Sequence, residues 1–442
     1  KIKFKIRIIQ IKNKIYDLQL KAQESYLPPT SDSLNQYCFP DFVKIDTNLI
    51  QQYPFVSIEK NNFQFYSANS PNWEHFYMEM DSMIRFKDRK LNFYHIGGSH
   101  IQADIYSHDM RTFLQSNWPE VTGERGVVFP LNLAHTNDPA NYQFASPNVW
   151  TGLRSVTHRI EGFDYGMMGA AVVCKDSMIN ITFQHDRTTV KPPFCSIRIY
   201  HNKGELPYEL NFGEDEILIY HIQQNQEIGF TEVYFTDPLN DLDLQFSRKT
   251  IEAAQLEIYG FQFMNEDPGI SYTSIGINGA GLYTYLENKN FEEQLAAYPP
   301  DYFAFAVGIN DGNVPYESFD PQVYKRNLEK MMKMVLRANP KCAILLTVPN
   351  DAHYKRKYLN RNIAREREVI IELAEQYNMP VWDFYGVMGE LGSSRLWMNR
   401  GLMQGDMVHF TSEGYHIKGD LMIDAFRKFL IQMKEIEDLK TN

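Results

Sequence analysis

Two periodicities share this chain, and they occupy separate stretches of it. Apolar residues at helical spacing recur in 72–89 (Trp73, Phe76, Tyr77, Met80, Met83, Ile84) and in 103–118 (Ile105, Met110, Phe113, Leu114). The same spacing returns in 320–338 (Tyr324, Leu328, Met331, Val335) and after Thr411 (Tyr415, Met422, Phe426, Phe429, Met433), and 359–377 reads as a further helix. Each predicts an amphipathic helix. Asp320-Pro321 supplies a cap followed by proline at the first helical position. Between these segments lie short apolar runs near 91, 272, 302, 342 and 380. The run 302–307 is apolar throughout, as a parallel strand covered on both faces should be. Strands alternating with helices predict a five-stranded parallel sheet with helices on both faces.

From about 157 to 263 the pattern changes. Short runs rich in Val, Ile, Tyr and Phe (170–174, 178–183, 196–201, 217–222, 232–235, 242–246 and 256–263) are separated by turn residues such as Lys203-Gly204 and Asp237-Pro238. About seven strands at that spacing predict an antiparallel sandwich inserted between the first and second strands of the α/β domain. The segment 121–155 is rich in Gly, Pro and Asn and reads as a long loop following the first strand, a length that usually serves function. The predicted division is therefore 1–70 as extension and linker, 71–155 and 266–437 as the two parts of the α/β domain, and 156–265 as the sandwich.

Composition narrows the functional class. With 44 basic and 55 acidic residues in 442, the net charge is −11, which argues against a nucleic-acid partner. No apolar run reaches the length of a membrane span. Residues 1–14 carry Lys or Arg at positions 1, 3, 5, 7, 12 and 14 with isoleucines between. That alternation suits either a strand added to a sheet edge, this protein's or a partner's, or a solvated terminus. Cys38, Cys174, Cys195 and Cys342 show no metal-ligand spacing; Cys174 and Cys195 lie in neighbouring strand-like runs and are read either as a pair or as free thiols.

The candidate chemistry sits where strands end. The strand 91–96 stops at Gly97-Gly98 and places Ser99 at its carboxyl edge, where open α/β sheets bind ligands. The strand near 272 ends in Asn278-Gly279-Ala280-Gly281, and the one near 302 in Gly308-Ile309-Asn310-Asp311. The loop Gly405-Asp406-Met407-Val408-His409 precedes the last helix. Asp406 and His409 are spaced so that the carboxylate reaches one imidazole nitrogen while the other faces this edge, where Ser99 needs a base. Backbone N–H groups of Ser99 and Gly279, with the Asn310 side-chain amide, supply donors for an oxyanion. Each residue has a plainer role: Ser99 as a helix cap, Gly279 as a packing glycine, Asn310-Asp311 as a turn, Asp406 and His409 as a surface pair. His95 reads as a satisfied core residue.

The blocks HIGGSHIQAD, SIGINGAG, VGINDG and DMVH together resemble those of the GDSL-type, or SGNH, hydrolase superfamily. The serine block with His100 and Gln102, and the interrupting sandwich, are most similar to bacterial peptidoglycan O-acetylesterases. The resemblance implies a three-layer α/β/α, flavodoxin-like fold and an inserted domain similar to a carbohydrate-binding module. It implies Ser99, His409 and Asp406 as the triad, Ser99, Gly279 and Asn310 as the oxyanion hole, and His100 and Gln102 as substrate-binding candidates. It further implies no metal or organic cofactor, and an exported, periplasmic or extracellular serine esterase acting on O-acetylated glycan, peptidoglycan above all. An O-acetyltransferase on the same machinery, and a glycan-binding scaffold with weak catalysis, are the alternatives. Gln102, Arg361 and the 121–155 loop are further candidates for shaping the pocket. Gly98 stands where the superfamily usually has aspartate, which puts the geometry of the serine turn in question.

Overall fold

The computed structural model describes residues 52–441 except 68–69, 158–159, 189, 213–218 and 251–254. The basic amino-terminal alternation and Cys38 lie outside the described residues. Five parallel strands form the centre of the α/β domain, in the order Val381–Asp383, Ala343–Val348, Tyr302–Ala306, Lys90–Gly97, Gly269–Gly276. In chain order this is 2-1-3-4-5 read from the other edge, the flavodoxin-like arrangement. The chain leaves the first strand toward one side and then returns to its other side, so a crevice opens beyond the carboxyl end of Lys90–Gly97.

Two short edge strands extend the five that the apolar runs predict. Thr122–Glu124 pairs in parallel with Gly269–Gly276, and Phe63–Gln64 pairs antiparallel with Val381–Asp383. The second corrects the reading of 1–70 as linker only. Phe63 is buried among Trp73, Phe426 and Phe429, and Asn61 donates to Leu421 O at 2.9 Å, so this segment closes one edge of the sheet. Two or three residues are too few for a period of two to register in a sequence.

Alternation along the first strand distributes the core. Phe93 packs against Phe76, Tyr302 and Phe426 beneath the helices Pro71–Phe86 and Ser412–Thr441, whereas its neighbour Tyr94 stacks on Phe303 on the opposite face. The second face is covered by Pro321–Ala338 and Asn362–Tyr377. Asp320 caps the first of these as its sequence predicts, accepting from Gln322 N at 2.8 Å.

The inserted domain is a sandwich of two antiparallel sheets. One has the order Tyr208–Asn211, Leu242–Arg248, Met178–His185, Tyr142–Ala145. The other runs Ile219–Asn225, Phe230–Leu239, Phe194–His201, Leu256–Met264, Ala170–Cys174, Thr151–Arg154, with Gly126–Val128 also paired to Leu256–Met264. Phe183 and Phe263, stacked with centroids 4.1 Å apart, and Phe144 and Phe261 at 5.1 Å join the two sheets. The sandwich thus starts at Gly126, not at 156. The 121–155 segment predicted as a loop contributes Gly126–Val128, Tyr142–Ala145 and Thr151–Arg154, strands of three or four residues between turns. Cys174 and Cys195 are free thiols.

Candidate active site

Ser99 follows the first strand through Gly98 and opens a single helical turn, Ser99–Gln102, held by Ile101 N and Gln102 N donating to Gly98 O. Turning so tightly after a buried strand leaves no room for a side chain at 98. A Cβ there would stand 2.7 Å from Asn310 Nδ2 and 3.1 Å from Ala280 O.

The neighbouring strands bring up the next two blocks. Gly279 has φ of +86°, a conformation glycine adopts without the steric penalty of a Cβ, and it directs the backbone back toward the crevice. Asn310 Nδ2 donates one hydrogen to Ala280 O at 2.9 Å, which fixes the amide and leaves its second N–H free of that bond. Asp311, directly behind it, accepts from Leu282 N at 3.0 Å and so ties the third block to the second.

The fourth block is a turn closed on its own backbone. Gln404 N donates to His409 O at 2.8 Å, and Met407 takes a positive φ of 52° at its tip. Asp406 Oδ1 accepts from Val408 N and His409 N, each at 3.0 Å, while its Oδ2 lies 2.7 Å from His409 Nδ1. Partial burial pushes the Asp406 carboxyl upward, but the hydrogen bonds from His409 and Val408 outweigh it and hold the group below its ordinary value. A carboxylate at Nδ1 selects the tautomer with the proton there, leaving Nε2 as an acceptor. Ser99 Oγ is 2.8 Å from that Nε2. The three predicted residues, from opposite ends of the chain, form one continuous hydrogen-bonded series.

Ser99 and His409 line a cleft of about 760 Å³ that is also lined by Gly279 and Asn310, with Asp406 behind the imidazole. Polar and apolar groups share the cleft's walls, with carboxamides from Asn137, Asn278, Asn313, Asn360 and Gln404, and the cations Lys355 and Arg356. None of the lining residues is acidic.

Two predicted binding residues have other roles. His100 is buried rather than open to the cleft; its Nδ1 is 2.9 Å from Tyr415 Oη, and burial, with Lys418 and His409 nearby, pushes its pKa well below the ordinary value. Gln102 borders the cleft, but its amide is committed internally. Nε2 donates to Thr136 Oγ1 and Asn137 O, each at 3.0 Å, and Oε1 accepts from Asn278 N at 2.7 Å. It braces the serine turn against the Gly279 block. Arg361 is exposed and is not among the cleft-lining residues. His95 is a satisfied core residue as predicted, with Nδ1 2.9 Å from Tyr272 Oη.

Asp104, which ends the serine block, carries a structural role that sequence reasoning missed. Its buried carboxylate accepts from Ser107 Oγ, Arg111, Arg125, Asn141 and Ser274 Oγ, joining the serine turn to the sheet and to the start of the sandwich. Burial alone would raise this carboxyl; Arg111 and Arg125 reverse the effect and hold it far below the usual carboxylate range. In the sequence, Arg111, seven residues on, shares a helical face with Asp104, whereas Arg125 has no spacing relation to it that a helix or strand period would reveal.

Fold and geometry together place a Ser-His-Asp hydrogen-bonded series at the switch point of a flavodoxin-like sheet. Residues 259–417 match the model of the GDSL-like Lipase/Acylhydrolase family. That match spans Gly279, Asn310, Asp406 and His409 and begins after most of the sandwich, which separates Ser99 from it. Over this segment the chain is similar to the GDSL-type, or SGNH, acylhydrolases. No curated protein sequence matches it. Among solved structures, one described as a peptidoglycan O-acetylesterase in action aligns with a TM-score of 0.69 at 17% identity, over 84% of this chain and 99% of that one. It carries the likeness of the whole two-domain fold. A lipase/acylhydrolase from Enterococcus faecalis (TM-score 0.29, 21% identity, 37% of this chain and 77% of that one) also aligns. So does a member of the lipolytic protein G-D-S-L family from Veillonella parvula (TM-score 0.27, 18% identity, 36% and 79%).

Proposed function

We propose that this protein is a serine esterase that removes O-acetyl groups from a glycan, with peptidoglycan as the substrate class, in the cell envelope. The observation that carries the reading is the unbroken path from Ser99 Oγ through His409 to Asp406, its serine and imidazole opening on a cleft lined in part by carboxamides. Side-chain amides match sugar hydroxyls as donors and acceptors. A long acyl chain would need a continuous apolar channel, whereas the apolar residues of this cleft share its lining with carboxamides and cations, and Ala352, Phe410 and Tyr415 among them are buried. The likeness to a peptidoglycan O-acetylesterase supports the same direction.

In this mechanism Ser99 Oγ attacks the acetyl carbonyl while His409 Nε2 takes its proton. The negative charge that develops on the carbonyl oxygen is met by N–H groups of Ser99, Gly279 and Asn310 Nδ2. His409 then protonates the departing sugar oxygen, leaving an acetyl group on Ser99. A water that gives its proton to His409 attacks the acetyl carbon. The Ser99 Oγ–acyl bond breaks as His409 returns that proton to Oγ, acetate leaves, and Asp406 stabilises the imidazolium at both stages. Acetate release from O-acetylated peptidoglycan and O-acetylated xylan tests the proposal. Wild-type protein should release acetate, and Ser99→Ala and His409→Ala should lower the rate by about 10⁴-fold or more. Release that survives Ser99→Ala would sink it.

A further inference from the structure

The cleft has cations on its wall although the chain as a whole is acidic. Lys355 and Arg356 line it, no carboxylate does, and the chain's net charge is −11. Both residues sit at the tip of a hairpin formed by His353–Tyr354 and Tyr358–Leu359. Lys357 N donates to Tyr354 O at 3.1 Å, and Lys355 and Arg356 between them have φ of 50° and 56°. Two successive positive φ values are the mark of a type I′ turn, a turn that favours Asn-Gly because bulky side chains are strained there. Here both strained positions carry long cations.

The hairpin tip is exposed, and among the described residues neither Lys355 nor Lys357 has a carboxylate within ion-pair distance. Arg356 Nε reaches to 3.9 Å from Asp406 Oδ2, which sets the cationic tip beside the triad. The hairpin is also tied to both flanking blocks. His353 N donates to Met407 O at 3.0 Å, and Lys355 N donates to Asn313 Oδ1 at 3.3 Å. Lys355 Nζ and Lys357 Nζ lie 5.2 and 5.3 Å over the rings of Tyr354 and Tyr358, contacts that leave their N–H donors available to an anion.

We infer that the Lys355-Arg356-Lys357 tip reads a carboxylate on the substrate, so that the preferred ester is borne by an anionic glycan. The inference rests on the acetyl-glycan reading and specifies its substrate. Carboxylates of this kind occur on the stem peptides of peptidoglycan and on uronic acid residues of other glycans. Binding energy from the tip is gained on substrate association, so it appears in KM and in sensitivity to salt rather than in the chemical step.

The test compares acetate release by wild-type protein from O-acetylated peptidoglycan, the same material with its carboxylates amidated, O-acetylated polygalacturonate and neutral O-acetylated xylan. At low ionic strength kcat/KM should be about tenfold higher on a carboxylate-bearing glycan than on its neutral counterpart, the gap closing with added salt. Whichever anionic glycan leads identifies the source of the carboxylate. The double variant Lys355→Asn with Arg356→Gly keeps the turn in its favoured sequence and should fold with an equal or higher melting temperature. It should lose most of the anionic preference, chiefly through KM, and Lys357→Gln should lose part of it. Equal kcat/KM on native and amidated peptidoglycan and on the polyuronate and xylan pair, or a well-folded Asn-Gly variant with wild-type preference, would overturn the inference alone. Release of acetate from none of the four glycans would overturn the acetyl-glycan reading, and the inference with it.

Discussion

Gly98 and Asn310 share one small volume: any Cβ on residue 98 would lie 2.7 Å from the Asn310 amide nitrogen. The serine turn and the third donor of the oxyanion site are thus shaped against each other. Gly98→Ala should push Asn310 off its bond to Ala280 O and lower kcat by about 10²–10³-fold, the range lost when one oxyanion donor is removed. Asn310→Ala should cost about as much. If the two act through one donor, the double variant will be little worse than either single one in steady-state kinetics, and a multiplied loss would refute the shared mechanism.

Gln102 predicts a different signature. Its three internal hydrogen bonds connect the helix after Ser99, the turn at 136–137 and the backbone of Asn278. Gln102→Ala leaves these partners without it, which should cost about 1–3 kcal/mol in urea denaturation. The loosened Asn278-Gly279 segment should lower kcat more than it raises KM. Gln102→Glu retains an acceptor for Asn278 N but loses the two amide donors, so it should restore only part of both quantities. A rise in KM alone would instead assign Gln102 to direct substrate contact.

Asp104 concerns the assembly of the two domains' elements rather than chemistry. Arg111 Nη2 and Arg125 Nη2 approach its Oδ2 at 2.8 and 2.9 Å, and both arginine side chains are nearly inaccessible to solvent. Asp104→Ala would leave two buried cations without their common partner, for which the expected loss is about 3–5 kcal/mol. Equilibrium unfolding measures it directly, and a loss below about 1 kcal/mol would mean that water or another acceptor replaces the carboxylate.

Much of this architecture can be read before any coordinates, for a physical reason. Ser99, Gly279 and Asn310 each follow an apolar run long enough to identify as a buried strand, and a parallel sheet delivers such strand ends to one rim. Asp406 and His409 are close enough in sequence for one turn to orient them. The rest depends on contacts without local periodicity. The strands at 126–128, 142–145 and 151–154 are too short to show alternation, so their segment resembles a loop. His100 lies on a four-residue helix that has no periodic face to distinguish buried from open. The Tyr354-Lys355-Arg356-Lys357-Tyr358 run has the composition of a solvated surface turn, and only the fold brings it beside Asp406.

The last prediction concerns acid groups beneath the oxyanion site. Asp311 is pushed up to about 7 by burial, partly opposed by the hydrogen bond from Leu282 N. Glu366, fully buried and raised well above its ordinary value, has neither carboxyl oxygen hydrogen-bonded. For Asp311 the folded chain binds the proton more tightly than the unfolded chain, whose ordinary value is 3.8. Between those values folding takes up a proton, so the Asp311 contribution to stability falls as pH rises, by at most about 1.4 kcal/mol per pH unit. Asp311→Asn keeps an acceptor for Leu282 N and removes the ionisation. Wild-type and variant proteins should therefore be most alike in relative stability near pH 4 and diverge in the variant's favour up to about pH 7, above which the difference should level off. Chemical denaturation of both at pH 4.5, 5.5, 6.5 and 7.5 supplies the comparison. A stability difference independent of pH would show that Asp311 is already ionised in the folded chain throughout this range.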